Sequence, residues 1–167
     1  MRNVVLCGFM GCGKSTVGRL LAEKTGRSFV DMDAYIEKEA GMTVAAIFER
    51  YGEADFRRRE REACAALAGQ DGLVIAAGGG ALTFPENAAA LRKTGDIVLM
   101  RVTPETVLRR LEGDTTRPLL ARPDKEAAVR ELMAKRQPLY RQAAAFSVDA
   151  NGDPASVAAA ILAVLAE

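Results

Sequence analysis

Residues Gly8 to Ser15 follow the spacing G-x-x-x-x-G-K-S, with Gly8 and Gly13 as the fixed glycines and Lys14-Ser15 closing the pattern. Glycines let backbone N–H groups turn inward around an anion with no Cβ in the way, and a helix that follows points its positive end at the same place. Lys14 then reaches the outer phosphates of a nucleotide, and the Ser15 hydroxyl can ligate Mg²⁺. Downstream, Asp31 and Asp33 lie two residues apart at the end of a strand-like run, so they are expected to project to one side of an extended chain. One could hold Mg²⁺ through water while the other accepts a proton from an acceptor hydroxyl. Capping by Asp33 of a helix beginning at Ala34 is the competing reading and has the same sequence pattern.

A third strand-like run, Leu73 to Ala77, leads into Gly78-Gly79-Gly80 and ends with no acid. Three glycines in a row weaken a buried strand end unless a backbone must come close to something, so a substrate approaching this turn explains them better than the turn alone. Metal duty therefore falls to Ser15 and Asp31. Several arginines are candidates for gripping anions: Arg57 within the charged stretch Glu53 to Glu62, Arg117 in an irregular segment, and Arg136 ahead of Pro138. Most charges in such a stretch face water, and nothing in the pattern says which arginine turns inward. An arginine carried over a nucleotide would stabilise a transferring phosphoryl group, and one on the acceptor side would clamp a carboxylate or phosphate bidentately.

The elements around these residues read as alternating strands and helices. Strand-like runs fall at Asn3 to Cys7, Ser28 to Asp31, Leu73 to Ala77, Asp96 to Arg101 and Phe146 to Asp149. Helical pattern covers Ala34 to Glu39, Val44 to Ala68, Glu86 to Lys93, Pro104 to Leu111, Lys125 to Ala144 and Ala155 to Leu165. Pro104 and Pro154 suit first turns of helices. Such alternation implies an α/β fold whose five-stranded parallel sheet is covered by helices on both faces, with ligands at the carboxyl ends of the strands. The irregular segment 113–124, with Pro118 and Pro123, has the composition of a lid.

The chain's 167 residues fit one domain over 1–167, and 23 Lys+Arg against 22 Asp+Glu give a net charge of +1. That balance provides no field to gather nucleic acid or a membrane surface. No apolar stretch approaches the ~20 residues that span a bilayer, and no leader is evident, so a cytoplasmic location is expected. Cys7, Cys12 and Cys64 are odd in number and show no C-x-x-C spacing, which argues against a disulfide framework or a zinc site. Histidine is absent, so general-base work falls to carboxylates. These features together point to a kinase for a small anionic acceptor.

The phosphate loop, Asp31-x-Asp33, Phe56-Arg57-Arg58, Gly78-Gly79-Gly80, Arg117-Pro118-Leu119 and Arg136-x-Pro138-x-Tyr140, in this order, closely resemble the shikimate kinase family almost end to end. The resemblance implies a P-loop fold of the nucleoside monophosphate kinase group: a three-layer sandwich with sheet order 2-3-1-4-5, a lid, and a substrate-binding region at about 33–61. It implies transfer of the γ-phosphate of ATP to the 3-hydroxyl of shikimate, with Mg²⁺ as cofactor, in the pathway to chorismate and the aromatic amino acids. ATP and shikimate would be the only partners, and a monomer is expected. By position, Lys14, Asp33 and Arg117 would be catalytic. The amides of Gly11, Cys12, Gly13, Lys14, Ser15 and Thr16 would hold phosphates, with Arg110 and Pro154 flanking adenine. Arg57 and Arg136 would grip the shikimate carboxylate beside Asp33, Gly78, Gly79 and Gly80. Cys12 departs from the family's small loop residue; near a helix N-terminus it should favour the thiolate, so a thiol reagent should inactivate and ATP protect. A gluconate- or nucleoside monophosphate-type kinase, and a catalytically silent nucleotide-binding module, are the rival readings.

Overall fold

The computed structural model describes residues 1–112 and 123–166. Five parallel strands, β1 (Asn3–Cys7), β2 (Ser28–Asp31), β3 (Leu73–Ala76), β4 (Gly95–Arg101) and β5 (Phe146–Asp149), form one sheet in the order β2-β3-β1-β4-β5. The register pairs Val5 with both Ile75 and Ile97, so the chain that feeds the phosphate loop is held from both sides. Each strand's carboxyl end, from Cys7 to Asp31 and Ala76, arrives at one edge of the sheet.

Alternate residues of the buried strands build two separate cores, because side chains two apart share a face. Val5, Cys7, Ile75, Ile97 and Leu99 pack with Ile36, Ile47, Phe56, Leu67, Leu91 and Val129 on one face. Those partners come from α2 (Met32–Ala40), α3 (Val44–Tyr51), α4 (Glu53–Ala68), α5 (Pro85–Arg92) and α7 (Lys125–Ala143). On the other face Val4, Leu6, Val74, Val98 and Met100 pack against Val17, Leu21, Val157 and Ile161, from α1 (Lys14–Thr25) and α8 (Pro154–Leu165). The remaining helix, α6 (Pro104–Arg110), follows β4 and is capped by the Thr103 hydroxyl. Among the described residues no helix is long and apolar enough to cross a membrane.

Two elements differ from the sequence pattern. The helical stretch 44–68 is two helices, broken at Gly52, whose φ of 87° lies in the left-handed region. Its N–H closes α3 on the Ile47 and Phe48 carbonyls, and its own carbonyl starts α4 by accepting from Phe56. Helix α2 starts at Met32 rather than Ala34, because the Asp31 carboxylate accepts from the Ala34 N–H at 3.1 Å and caps it. Asp31 and Asp33 are therefore a cap and a first-turn residue, not alternate residues of one extended strand.

Candidate active site

The loop after β1 closes on itself. Gly11 and Gly13 have φ of 79° and 92°, and a Cβ on Gly8 would lie 2.8 Å from the Cys12 Sγ and 2.9 Å from the Met100 carbonyl. Lys14 Nζ donates to the Gly8 carbonyl at 2.6 Å and to the Phe9 carbonyl at 3.3 Å, which ties the ammonium across the loop it serves. The Cys12 N–H is taken by the Phe9 carbonyl at 3.1 Å, so this amide is engaged within the loop. Its thiol is 1% exposed beneath the loop, which closes it to a bulky reagent and runs against the expected ready modification. At the head of α1, the Ser15 hydroxyl donates to Asp31 Oδ2 at 3.1 Å. The tip of β2 thus touches the phosphate loop, and a hydroxyl and a carboxylate face one another there.

Facing the loop, three glycines make room for four side chains. A Cβ on Gly78 would meet Asp33 Oδ1 at 2.8 Å and Glu60 Oε2 at 3.4 Å; on Gly79, Arg136 Nη1 at 3.1 Å; on Gly80, both terminal nitrogens of Arg57 at 2.8 Å. The side chains nearest these glycines are walls of the cup itself. Arg57 is the arginine of its stretch that turns inward. It donates from Nη1 to Glu60 Oε1 at 2.8 Å and lies 5.4 Å and 5.3 Å from the ring centres of Phe56 and Phe84. Its neighbours Arg58 and Arg59 instead pair outward with Asp55, at 2.9 and 2.7 Å. Arg136, from α7, sits 5.8 Å from the Phe9 ring centre.

Glu60 was not singled out in the sequence, although its place one helical turn after Arg57 was a usable signal. Only 1% exposed, its carboxyl is pushed above the usual glutamate range by burial; attraction to Arg57 opposes the shift and repulsion from Asp33 adds to it. Tyr140, which the sequence pattern includes in Arg136-x-Pro138-x-Tyr140 without assigning it a role, donates its hydroxyl to the Gly79 carbonyl. Burial raises this phenol, with the Arg136 guanidinium pulling the other way.

One pocket of about 410 Å³ holds both halves, lined by Gly11, Gly13, Lys14, Ser15 and Thr16 on one side and Asp33, Arg57, Gly78, Gly79, Gly80 and Arg136 on the other. Asp31, Glu60 and Val44 are also in its wall. A second hollow of about 200 Å³ lies behind the loop, bounded by Cys12, Thr16, Arg110, Gly152 and Pro154. Arg110 is anchored rather than free: it donates to the carbonyls of Gly11 at 3.1 Å, Ala150 at 2.9 Å and Gly152 at 3.1 Å. Arg117, and with it residues 113–122 of the expected lid, lie outside the described residues.

This geometry offers a phosphate loop and a guanidinium-walled cup across one cavity, as transfer of a phosphoryl group to a small anion requires. Residues 10–166 match the family model described as shikimate kinase. A shikimate kinase of Symbiobacterium thermophilum is 51% identical over 144 residues, covering 85% of this chain and 83% of that protein. A shikimate kinase from Acinetobacter baumannii, solved in complex with shikimate, superposes with a TM-score of 0.93 at 40% identity over 99% of this chain and 93% of its own. A gluconokinase from Sinorhizobium meliloti, at 18% identity and a TM-score of 0.63 over 99% of this chain and 91% of its own, shares the fold alone. The chain belongs to the shikimate kinase family.

Proposed function

We propose that this protein transfers the γ-phosphate of ATP to the 3-hydroxyl of shikimate, giving shikimate 3-phosphate and ADP, within the pathway to chorismate and the aromatic amino acids. The observation that carries this reading is the convergence of Arg57 and Arg136 on the glycine turn, opposite Lys14 in the same pocket. Two guanidiniums on a backbone turn suit a carboxylate, and their planar forks favour bidentate contact. Asp33, which lines the same pocket, contacts the acceptor hydroxyl and takes its proton. Lys14 leaves the loop carbonyls for the transferring phosphate, and the amides of Gly11 to Thr16, apart from that of Cys12, which the Phe9 carbonyl holds, surround its neighbours. The hollow beside Arg110 and Pro154 takes the adenine, where an anchored guanidinium can lie against a purine face. The family resemblance gives Arg117 a place on the nucleotide, residues 113–124 the part of a lid and residues 33–61 that of the acceptor-binding region of a single domain.

Ser15 and Asp31 fit Mg²⁺: both donors are hard oxygens, 3.1 Å apart, at the mouth of the loop. Among the described residues no cluster of three or more metal-binding Cys, Asp or Glu side chains is present, so a cation here would take its remaining ligands from phosphate and water. The ion, when bound, supplies charge neutralisation on the phosphate oxygens. The proposed setting is the cytoplasm, and the acting unit a monomer, since both substrates meet within one chain's pocket.

A coupled ADP-release assay with Mg-ATP tests the reading. Turnover with shikimate and none with gluconate, AMP or CMP is expected. Turnover of one of those three in place of shikimate would assign a different kinase, and ATP binding without any turnover would leave a silent module.

A further inference from the structure

The turn from Gly78 to Ala81 has all its carbonyls engaged by protein donors. The Gly78 carbonyl accepts from the Ala81 N–H at 3.1 Å, and the Gly80 carbonyl from the N–H and hydroxyl of Thr83 at 3.3 and 2.6 Å. That of Ala81 accepts from the Phe84 N–H at 3.4 Å and from Asn87 Nδ2 at 2.9 Å. The N–H groups of Gly78, Gly79 and Gly80 have no backbone acceptor among the described residues. The turn is therefore polarised: its oxygens are consumed by the fold, while its three glycine N–H groups are not used by the backbone.

One of these carbonyls differs from the rest. Those of Gly78, Gly80 and Ala81 each have a backbone partner three residues onward, whereas that of Gly79 is held by Tyr140, a side chain 61 residues away on α7. In a trans peptide the Gly80 N–H points opposite to the Gly79 oxygen. Tyr140 is 2% exposed and belongs to the core, so holding the oxygen inward directs the Gly80 N–H outward, to the side where the glycines line the pocket. The bonds at Gly78 and Gly80 hold the peptides on either side, and with no Cβ on either glycine to resist rotation of the peptide between them, Tyr140 is the side chain that bonds its oxygen.

We propose that Tyr140 is a positioning residue for the acceptor: by holding the Gly79 carbonyl it aims the Gly80 N–H at the carboxylate gripped by Arg57 and Arg136. The inference rests on the reading of the acceptor as shikimate. Burial keeps the phenol protonated across the working range, so it stays a donor. Arg136 lies one turn earlier on the same helix, so α7 sets both the cation and the amide that meet the acid.

The test is Tyr140→Phe, which removes one hydroxyl and keeps the ring. The KM for shikimate is expected to rise about tenfold, as for one lost hydrogen bond, while kcat and the KM for ATP stay within about twofold. Asn87→Ala, which loosens the same turn at Ala81, should lower the melting temperature and leave the shikimate KM unmoved. An unchanged shikimate KM in Tyr140→Phe, or an equal rise in Asn87→Ala, overturns the proposal. Should the wild type fail to phosphorylate shikimate, the functional reading falls, and a crystal structure of Tyr140→Phe decides this one: a rotated Gly79–Gly80 peptide supports it, an unrotated one overturns it. If the variant does not fold, amide exchange in the wild type decides instead. A Gly80 N–H that exchanges freely supports the proposal, and one already protected without any ligand overturns it.

Discussion

Glu60 is the buried acid behind the acceptor cup, and its raised pKa has a definite sign. Because burial holds it above the usual glutamate range, it takes up a proton earlier on acidification than an exposed glutamate would, and Arg57 then loses its buried anionic partner and keeps only the longer, exposed contact to Glu53 at 3.7 Å. The kcat/KM for shikimate is expected to fall on the acid side in a window above the ordinary glutamate range, and a pH profile of Glu60→Gln should lack that limb. At neutral pH the same variant should raise the shikimate KM about 10- to 100-fold, the worth of a charged hydrogen bond. Asp33→Asn keeps the shape of the site and removes the base, so kcat should drop about 10²- to 10⁴-fold with little change in KM; near-normal turnover would remove Asp33 from proton transfer. At this scale the phosphate loop was legible because its spacing is a mechanism in itself. Which of three adjacent arginines turns inward was not, since helical phase depends on where α4 starts, and Gly52 sets that start.

Gly52 also decides a property of the elements. With φ at 87° and nothing within 4 Å of a Cβ built there, Gly52→Ala is strained by its backbone alone and should cost about 1 to 2 kcal/mol, read as a lower unfolding midpoint in urea. The break between α3 and α4 would be disturbed with it, so the shikimate KM should rise before the KM for ATP does. Asp31→Ala removes the cap of α2, worth about 1 kcal/mol, and one of the two cation donors; the Mg²⁺ concentration for half-maximal activity should increase. All five strands were legible from short apolar runs, to within one residue at their ends. The split of 44–68 was not, because a single glycine inside a helical pattern is compatible with a continuous helix, and only closure of α3 onto Gly52 breaks it. The start of α2 is not legible in the sequence, because either aspartate suits a cap.

For the molecule as a whole, the sheet order was available only through family resemblance. Periodicity marks a strand but not its neighbour, and β1 finds its partners about seventy and ninety residues onward, at Val74 and Asp96. The cysteines give a global readout of integrity. All three are buried, and burial pushes the Cys7 and Cys64 thiols up to about 12. An aromatic disulfide reagent should therefore titrate almost no thiol in the native protein and three after unfolding; fast native reaction at Cys12 would show that the loop opens. The central place of β1 has a bearing on biosynthesis. The strand that carries the phosphate loop leaves the ribosome before the other four strands, yet it lies between β3 and β4, so one flank stays bare until residue 76 emerges and the other until residue 99. A nascent chain stalled before that length has the whole motif in its sequence but not the sheet that shapes it, and nucleotide retention by such stalled chains should begin only once β4 has cleared the exit tunnel.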